Sequence, residues 1–253
     1  MKPLLLFDVD GTIAESGQII NTELLELFEK LSKNYDLGIV GGGKYEKIID
    51  QLSNTKFFTH IFAECGCVYY KLNSNLSNLS NLSNYKLVYK KNIRVHPVYK
   101  QINQLIKLAL GFLSQVNYDL TGHFIDLRNG IIYISLIGMV ALEEERKYFI
   151  DLDKKQNIRK TLIDLLVEKA EELQINNQVK ILEGGAVGIG IYPVEYGKAQ
   201  VLDSLSDYND ISYFGDKYTP DGNDYELISH PKIKGYPVDS IEDTSNILNK
   251  FIF

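Results

Sequence analysis

The pattern of apolar and polar positions divides the first part of the chain into alternating strands and helices. A short apolar run, residues 4–7, stops at Asp8 and predicts a central strand of a parallel sheet. Asn21 is a candidate N-cap, and the predicted helix after it has one apolar face, formed by Leu24, Leu27, Phe28 and Leu31. The pattern continues with strands at 37–40 and 57–62 and a helix at 45–52. This order predicts a parallel sheet covered by helices.

A low-complexity segment interrupts this pattern. Residues 76–84 repeat Leu-Ser-Asn, and two positions in three are polar, so the segment has no periodicity that could bury a core. The flanking segments, 68–71 and 85–89, alternate weakly between apolar and polar side chains. We therefore predict a β-hairpin whose tip is expanded into a loop.

The middle of the chain has a different pattern. It predicts helices at 98–113, from 143 onward and at 158–173, and strands at 123–127, 131–136, 179–182 and 187–192. Strands that pair locally beside grouped helices are typical of an α+β module. The parallel pattern resumes with a strand at 211–214 and a helical segment from Tyr225. The predicted fold class is therefore α/β, with a Rossmann-like parallel sheet core (1–91 and 191–253) and an inserted α+β cap domain (92–190).

Composition argues against several classes of partner. The formal net charge is −6 and no basic stripe stands out, so neither nucleic acid nor an anionic membrane is an expected partner. No apolar run approaches the roughly 20 residues needed to span a bilayer, and the start of the chain turns acidic too soon for a secretory signal. The cysteines, Cys65 and Cys67, make no disulfide framework and at most half a zinc site. We expect buried, idle thiols and a cytoplasmic location.

The sharpest chemical signal is the segment Asp8-Val9-Asp10-Gly11-Thr12, directly after the first predicted strand. Ligands of parallel sheets bind beyond the carboxyl ends of strands. A carboxylate at that place, Asp8, can attack phosphorus to form an acyl phosphate, and Asp10 can exchange a proton with the leaving or accepting oxygen. Gly11 would permit a tight reversal of the chain. The alternative interpretation is an Asp-Gly turn that caps a helix.

A second acidic segment follows the late strand at 211–214. Asp216, Asp221 and Asp224 place three carboxylates within nine residues. Together with Asp8 they would repel one another unless a cation lies among them, and hard oxygen ligands suit Mg²⁺. The magnesium interpretation requires the first strand and this strand to be close neighbours in the sheet. The alternative interpretation is a solvated acidic loop.

Taken together, these motifs resemble a known family. DVDGT near the start, a Gly-Gly turn after the second strand, a cap insertion and GDKYTPDGND near the end are similar to the haloacid dehalogenase superfamily. Within it, the sequence resembles eukaryotic-type phosphomannomutase from about residue 3 to 250, with the Leu-Ser-Asn repeat as the main gap. The resemblance is carried by the segments VGGGKYEKIIDQL, FAECG, FIDLRNGIIYIS, DLDKKQNIRK, YFGDKYTPDGND and GYPVDSIEDTSNIL.

The resemblance implies a reaction and its cofactors. Mannose 6-phosphate and mannose 1-phosphate would interconvert through an aspartyl-phosphate and a hexose bisphosphate, and the product would supply GDP-mannose synthesis. The implied cofactors are Mg²⁺ and a hexose 1,6-bisphosphate activator, and the implied partner is a phosphorylated hexose. The resemblance also suggests a homodimer formed through the cap.

The same resemblance assigns roles to individual residues. The catalytic residues would be Asp8 as nucleophile, Asp10 as acid/base and Lys198 as the cation that steadies Asp8. The metal site would comprise Asp8, Asp10 through its main-chain carbonyl, Asp216 and Asp224, with Asn223 and Asp224 also supporting the loop. The phosphates of the substrate would bind to Arg128, Arg146, Gly42 and Gly43. Arginine suits this task because its planar fork binds phosphate bidentately.

Several positions depart from the family pattern. The family residues expected are arginine and serine at Gly17 and Gly43, proline and arginine at Leu136 and Met139, and serine and aspartate at Gly188 and Gly190. Main-chain N–H groups at 41–43 can partly replace the missing hydroxyl. Metal binding and phosphoryl transfer are therefore firmer expectations than mannose specificity. Two alternatives stay open: a sugar-phosphate phosphatase, in which water accepts the phosphoryl group, and a non-catalytic binding or regulatory descendant.

Overall fold

The computed structural model describes residues 2–53, 56–73 and 84–252 of the 253-residue chain. The chain forms two compact units, which are described separately: Met1–Lys91 with Tyr196–Phe253, and Asn92–Glu195. Their assignment as core and cap stays a prediction. Residues 76–83 of the loop predicted at 76–84 lie outside the described residues. Within the described ranges, no helix combines the length and the apolar character that crossing a membrane requires.

The helices and strands of the described residues are numbered in chain order. The first are β1 (Leu4–Phe7), α1 (Thr22–Leu31), β2 (Asp36–Val40), α2 (Tyr45–Leu52), β3 (Phe58–Ala63), β4 (Val68–Leu72) and β5 (Tyr85–Lys90). The second unit contains α3 (Tyr99–Leu113), β6 (Ile125–Leu127), β7 (Ile132–Ser135), α4 (Glu143–Gln156), α5 (Ile158–Glu172), β8 (Val179–Gly184) and β9 (Gly188–Pro193). The chain continues with β10 (Ile211–Gly215), α6 (Tyr225–Ile228), β11 (Ile233–Pro237) and α7 (Ile241–Asn249).

A seven-stranded sheet forms the middle of the first unit, in the order β11-β10-β1-β2-β3-β4-β5. The strands from β11 to β3 are parallel, whereas β4 and β5 add an antiparallel pair at one edge. The predicted α/β fold class is confirmed, and so is the pairing of the two segments that flank the repeat. β1 is entirely apolar because both its faces are covered: Leu5 and Phe7 join one buried cluster, and Leu4 and Leu6 join another.

Helix α1 forms for the reasons that its sequence indicates. The Asn21 side chain accepts a hydrogen bond from the Leu24 backbone N–H at 2.8 Å and so caps the N-terminus. The predicted apolar face is buried, and Phe28 packs edge-on against Phe7 and Phe58 of the sheet. Helix α2 has the predicted bounds, and it begins directly after the glycine turn that ends β2.

The second unit is built on a four-stranded antiparallel sheet, in the order β6-β7-β9-β8, which agrees with the predicted α+β module. Helix α5 packs against β8 and β9, and α3 packs against α5. Side chains alternate between the two faces of a sheet. One face is buried and carries Ile132, Ile134, Ile189 and Ile191. The opposite face, called the Tyr133 face below, carries Tyr133 on β7 and Gly188 and Gly190 on β9.

Three parts of the chain differ from the predicted pattern. The strand expected at 123–127 begins only at Ile125, because His123 has a left-handed conformation (φ 52°) that a strand does not contain. The sequence does not predict β11, which is a half-exposed edge strand that ends at Pro237 and so lacks an apolar run. It also misses α7, although the Ser240 side chain accepts from the Asp243 N–H and caps that helix.

Candidate active site

The two acidic motifs meet at one edge of the seven-stranded sheet. Strands β1 and β10 are parallel neighbours with Phe7 opposite Phe214, and the Asp8 N–H donates to the Phe214 carbonyl at 2.9 Å. The adjacency on which the magnesium interpretation depends is therefore confirmed. Asp8 and Asp216 follow these strands at their carboxyl ends, where parallel sheets bind ligands. Asp8, Asp216 and Asp224 each present a carboxylate oxygen within 4.8 Å of the others.

Lys198 lies buried among these carboxylates. Its ammonium donates to Asp8 Oδ1 and to Asp224 Oδ1, each at 2.6 Å, and lies 3.2 Å from the Tyr213 hydroxyl. The side chains of Lys198 and Asp224 are fully buried, so each charge depends on the other for compensation. Lys198 begins a 3₁₀ helix, Lys198–Ser204, which precedes β10 in the chain. We call Asp8, Lys198, Tyr213 and Asp224 the buried cluster.

Burial and mutual charge shift the ionisation of the buried cluster. Burial raises the pKa of the Asp8 carboxyl; the charge of Lys198 opposes this rise, and Asp224 and Asp216 reinforce it. Burial alone would lower the pKa of the Lys198 ammonium, but Asp224 and Asp8 raise it well above its usual range. Burial also raises the pKa of Tyr213, whose protonated hydroxyl donates to Asp224. Three carboxylates thus face two ammonium groups, the buried Lys198 and the exposed Lys217, which lies 2.8 Å from Asp216 Oδ2, and a divalent cation would neutralise the surplus negative charge.

The oxygen atoms at this edge fit a hard cation. Asp216 Oδ1 and Asn223 Oδ1 are buried and have no hydrogen-bond partner within the described ranges. A buried carboxylate oxygen without a donor is costly unless a cation or a water molecule satisfies it. Asp224 differs, because its Oδ1 accepts from Lys198 and its Oδ2 accepts from the Lys217 N–H at 2.9 Å. The carboxylate donor set therefore fits Mg²⁺, and Asp216 offers the unsatisfied oxygen.

Glycine allows the two motifs to approach this closely. Gly11 has a left-handed conformation (φ 88°), and a Cβ at this position would lie 2.6 Å from Asp216 Oδ2. A Cβ at Gly215 would lie 2.6 Å from Asp224 Cγ. Any larger residue at either position would therefore displace one of the aspartates.

The two alternative interpretations of the acidic motifs do not hold. The first motif does not cap a helix, since α1 begins at Thr22 and its cap is Asn21. The second motif is not a solvated loop as a whole: Asp221 is exposed, but Asp216 is half-buried and Asp224 is fully buried. Of these three carboxylates, the two that the structure gathers beside Asp8 are those shielded from solvent.

Asp10 is held by three hydrogen-bond donors. Its Oδ2 accepts from the Lys47 ammonium at 2.7 Å, and its Oδ1 accepts from the Gln51 amide at 2.8 Å and from the Gly17 N–H at 3.1 Å. Burial alone would raise the pKa of Asp10, but these three bonds lower it below its usual value. Lys47 and Gln51 lie one turn apart on α2, and sequence analysis misses both. The available signal is a polar i, i+4 pair on the helix directly after the glycine turn.

The glycine turn expected to bind phosphate joins β2 to α2. The Gly43 carbonyl accepts from the Glu64 N–H at 2.9 Å, which ties the turn to the segment after β3. A Cβ at Gly42 would lie 3.8 Å from Asn223 Nδ2, so the turn borders the second acidic motif. The N–H groups of this turn lie at the correct edge of the sheet, and their binding of phosphate stays a prediction.

The two arginines expected to hold a phosphate lie in the second unit. Arg128 Nε donates to Asp126 Oδ2 at 2.8 Å, and the Arg128 guanidinium carbon lies 4.9 Å from the centroid of the Tyr133 ring. Arg146, on α4, is half-buried, and its side chain makes no hydrogen bond or ion pair in the part of the chain that the structure describes. The positive charges of both arginines act on the Tyr133 hydroxyl. Their binding of phosphate stays a prediction.

The two cysteines are free and buried, as the sequence predicts. Burial raises the pKa of the Cys67 thiol to about 12, which makes this thiol unreactive near neutral pH. The group of metal-ligating side chains found within the described ranges contains aspartates and neither cysteine. The thiols therefore supply no ligand to the candidate metal site.

Comparisons with proteins of known sequence agree with one another. The model of the eukaryotic phosphomannomutase family matches residues 24–253. Phosphomannomutase 1 of Homo sapiens is 32% identical over 259 residues, covering 100% of this chain and 93% of that protein. A phosphomannomutase of Spinacia oleracea is 32% identical over 248 residues, covering 96% of this chain and 94% of that protein.

Solved structures share the fold at lower identity. An IMP-nucleotidase of Plasmodium falciparum superposes with a TM-score of 0.71 at 16% identity, covering 99% of this chain and 61% of that one. A sucrose-phosphatase of Synechocystis superposes with a TM-score of 0.53 at 14% identity, covering 100% of this chain and 90% of that one. At such identities the likeness shows the fold alone.

Proposed function

Because the chain belongs to the eukaryotic phosphomannomutase family, we propose that it interconverts mannose 6-phosphate and mannose 1-phosphate through a phosphoryl group carried on Asp8. The enzyme class is that of an isomerase-type phosphotransferase. The observation that carries the proposal is the buried cluster, in which Lys198 binds Asp8 and Asp224 at 2.6 Å. It presents a carboxylate nucleophile with a cation beside it, at the edge of the sheet where ligands bind.

In the proposed first half-reaction, phosphorylated Asp8 donates its phosphoryl group to a hexose phosphate. A hydroxyl oxygen of the sugar forms a bond to phosphorus, the bond from phosphorus to the Asp8 oxygen breaks, and the hydroxyl proton moves to Asp10. The bonds from Lys47, Gln51 and Gly17 favour ionised Asp10, the state that a general base requires. In the second half-reaction, the other phosphoryl group of the hexose bisphosphate moves to Asp8, and Asp10 returns the proton.

We assign the magnesium ion to Asp8, Asp216 and the main-chain carbonyl of Asp10, with Asp224 completing the acidic group. The surplus negative charge and the unpartnered Asp216 Oδ1 of the described structure support this assignment. When bound, the ion would neutralise charge on the carboxylates and on the phosphoryl oxygens. Lys198 adds a fixed positive charge beside Asp8 and thereby favours the ionised carboxylate that attacks phosphorus.

The binding of the two phosphates of the substrate is assigned to different units. We propose that Arg128 and Arg146 of the second unit bind the non-reacting phosphate, since a guanidinium fork matches two phosphate oxygens. The transferring phosphate would meet the main-chain N–H groups of Gly42 and Gly43. At Gly17, where the family resemblance leads us to expect an arginine, the N–H donates to Asp10 instead.

Further parts of the proposal concern metabolites and assembly. A hexose 1,6-bisphosphate would act as activator, because it can phosphorylate Asp8 and so start the cycle. The mannose 1-phosphate formed would supply GDP-mannose synthesis. We also propose a homodimer through the second unit, on the family resemblance, and a cytoplasmic location, which the two free thiols favour.

Product analysis with mannose 1-phosphate, Mg²⁺ and a trace of glucose 1,6-bisphosphate tests the proposal. We expect mannose 6-phosphate, and a loss of rate on the order of 10⁴-fold or more in Asp8→Asn. Asp221→Asn, at an exposed carboxylate of the second acidic motif, is the matched control and should retain activity. Release of inorganic phosphate without mannose 6-phosphate would instead make the chain a sugar-phosphate phosphatase. Absence of both products would indicate a non-catalytic descendant.

A further inference from the structure

The Tyr133 face of the four-stranded sheet carries an aromatic ring that lies directly over glycine residues. Tyr133 lies on β7, between Ile132 and Ile134, whose side chains are buried on the opposite face. The adjacent strand β9 and the strand beyond it, β8, carry glycine where side chains would otherwise stand beside the ring, at Gly188 and Gly184. This face therefore presents a ring lying against bare backbone.

The ring fills the space that those two glycines leave. A Cβ at Gly188 would overlap Cζ and Oη of Tyr133, and a Cβ at Gly184 would lie 2.8 Å from its Cε2. The Tyr133 hydroxyl donates to the Gly184 carbonyl at 2.9 Å, which fixes the far end of the side chain. We call Tyr133 with Gly184 and Gly188 the Tyr133 platform. It is fixed both by the close fit of the ring and by a hydrogen bond at its tip.

Arg128 lies over this platform. Its guanidinium carbon is 4.9 Å from the ring centroid, within the range of a cation–π contact, and its Nε donates to Asp126 Oδ2 at 2.8 Å. Burial raises the pKa of the Tyr133 hydroxyl, and the positive charges of Arg128, Arg146 and Arg159 oppose that rise. Arg159 binds Asp153 at 2.6 Å and Glu183 at 2.9 Å, so its charge is engaged by two carboxylates.

Building on the proposed function, we propose that Tyr133 is a positioning residue that fixes Arg128 to receive the non-reacting phosphate of a hexose phosphate. A free arginine side chain has many rotamers, and ordering it on binding reduces affinity. The ring restrains one side of the guanidinium while Asp126 restrains its Nε, so Arg128 is ordered before the substrate arrives. Glycine at 184 and 188 is required because any side chain would lift the ring and release Arg128.

The test compares Tyr133→Leu with Tyr133→Phe as the matched control. Tyr133→Leu removes the aromatic face and should weaken the binding of mannose 1-phosphate roughly 3- to 30-fold, the range of a cation–π contact. Tyr133→Phe keeps the face and should change the Kd less than about threefold. In turnover, Tyr133→Leu should raise KM by the same factor and change kcat less than about twofold. A role confined to folding would lower the melting temperature and leave the Kd of the folded fraction unchanged.

Two further variants show whether Tyr133 acts through Arg128. In an Arg128→Ala background, Tyr133→Leu should raise the Kd of mannose 1-phosphate by less than about twofold, because the residue that Tyr133 positions is absent. Gly184→Ala, which pushes on the ring from below, should reproduce the Kd increase of Tyr133→Leu and should add little to it in the double variant. These variants also cover the case in which Tyr133→Leu fails to fold.

Calorimetry of mannose 1-phosphate binding separates this inference from the proposed function. If the wild-type chain binds mannose 1-phosphate but forms no mannose 6-phosphate, the proposed function fails while the Kd series still tests Tyr133. Equal Kd values for wild type and Tyr133→Leu would overturn the inference. An undiminished effect of Tyr133→Leu in the Arg128→Ala background would also overturn it.

Discussion

The buried cluster of the first unit and the arginines of the second unit differ in whether water can compensate their charges. In the buried cluster, Lys198 and Asp224 are fully buried, and each is compensated by another side chain. In the second unit, Arg128 is paired with Asp126 at 2.8 Å, but both Arg128 and Arg146 are half-buried, so water can solvate part of each charge. Removing one member of the buried cluster leaves an uncompensated charge, whereas water can fill the gap left by an arginine.

This difference indicates where such a chain can change. The departures that the family resemblance indicates fall at Gly17, Gly43, Leu136, Met139, Gly188 and Gly190, and none of them belongs to the buried cluster. Interlocked buried charges tolerate no single replacement, while contacts that act independently can be lost one at a time. We therefore expect the chemistry of phosphoryl transfer to be more constrained than the recognition of the sugar.

The comparison would break if Lys198 could be replaced without a large loss of stability. Lys198→Met should lower the free energy of unfolding by about 3–5 kcal/mol, because Asp8 and Asp224 would be left buried without a cation. Lys234→Ala is the matched control, since its ion pair with Asp210 is exposed and its loss should be unmeasurable. Urea unfolding at pH 7 measures both variants. A loss below about 1 kcal/mol in Lys198→Met would show that the cluster is not interlocked.

A second buried polar group of the first unit should impose a pH dependence on stability. The ring nitrogens of His60 lie 2.7 Å from the Tyr69 hydroxyl and 2.9 Å from the Tyr208 hydroxyl, and burial lowers the pKa of His60 from 6.5 to about 4. Between pH 6.5 and 4 the unfolded chain binds a proton that the folded chain does not. The free energy of unfolding therefore has its full value above pH 6.5. It decreases by up to about 3 kcal/mol as the pH falls toward 4.

Replacing His60 tests this linkage. In His60→Gln the part of the pH dependence that belongs to the imidazole should disappear, so the difference in unfolding free energy between wild type and variant should narrow from pH 7 to pH 4. Urea unfolding at several pH values measures the two slopes. Parallel slopes would mean that water reaches His60 in the folded chain, which would weaken the contrast between the two units.

The smallest expected effect on stability is that of replacing Arg146 in the second unit. Arg146→Ala should lower the binding of the hexose phosphate by about 1.5–3 kcal/mol, roughly a 10- to 150-fold rise in KM. The free energy of unfolding should change by less than about 0.5 kcal/mol, because Arg146 is half-buried and makes no ion pair within the described ranges. Arg94→Ala, at an exposed arginine of the same unit, should change neither quantity. Equal losses of stability and binding in Arg146→Ala would contradict this expectation.

Helices and strands whose bounds are set by their own residues are predicted accurately from the sequence. The bounds of α2 agree with its apolar pattern, Asn21 caps α1, and the first strand ends where its apolar run ends. The errors occur where local pattern is weak. A left-handed residue shortens β6, and the edge strand β11 has no apolar run to indicate it.

The candidate site is predictable only in part. Asp8 and Asp216 stand out because each follows an apolar strand, but Lys198 enters the prediction only through the family resemblance. Lys47 is absent from the prediction, although its ammonium lies 2.7 Å from Asp10, because nothing in the local sequence ties the two residues together. The contact between Tyr133 and the glycines of β8 and β9 is equally invisible along the chain.

By itself, the sequence determined which segments become strands and helices and that two acidic motifs terminate two of the strands, because these outcomes depend on neighbours within a few positions. Only the tertiary structure decided that Lys198 reaches Asp8 across 190 residues and that the Tyr133 ring lies on Gly188. Such contacts are set by the order and register of strands, in which β10 pairs with β1 and β7 pairs with β9. Strand order follows from how all the apolar faces are buried together, and no single segment of the chain specifies it.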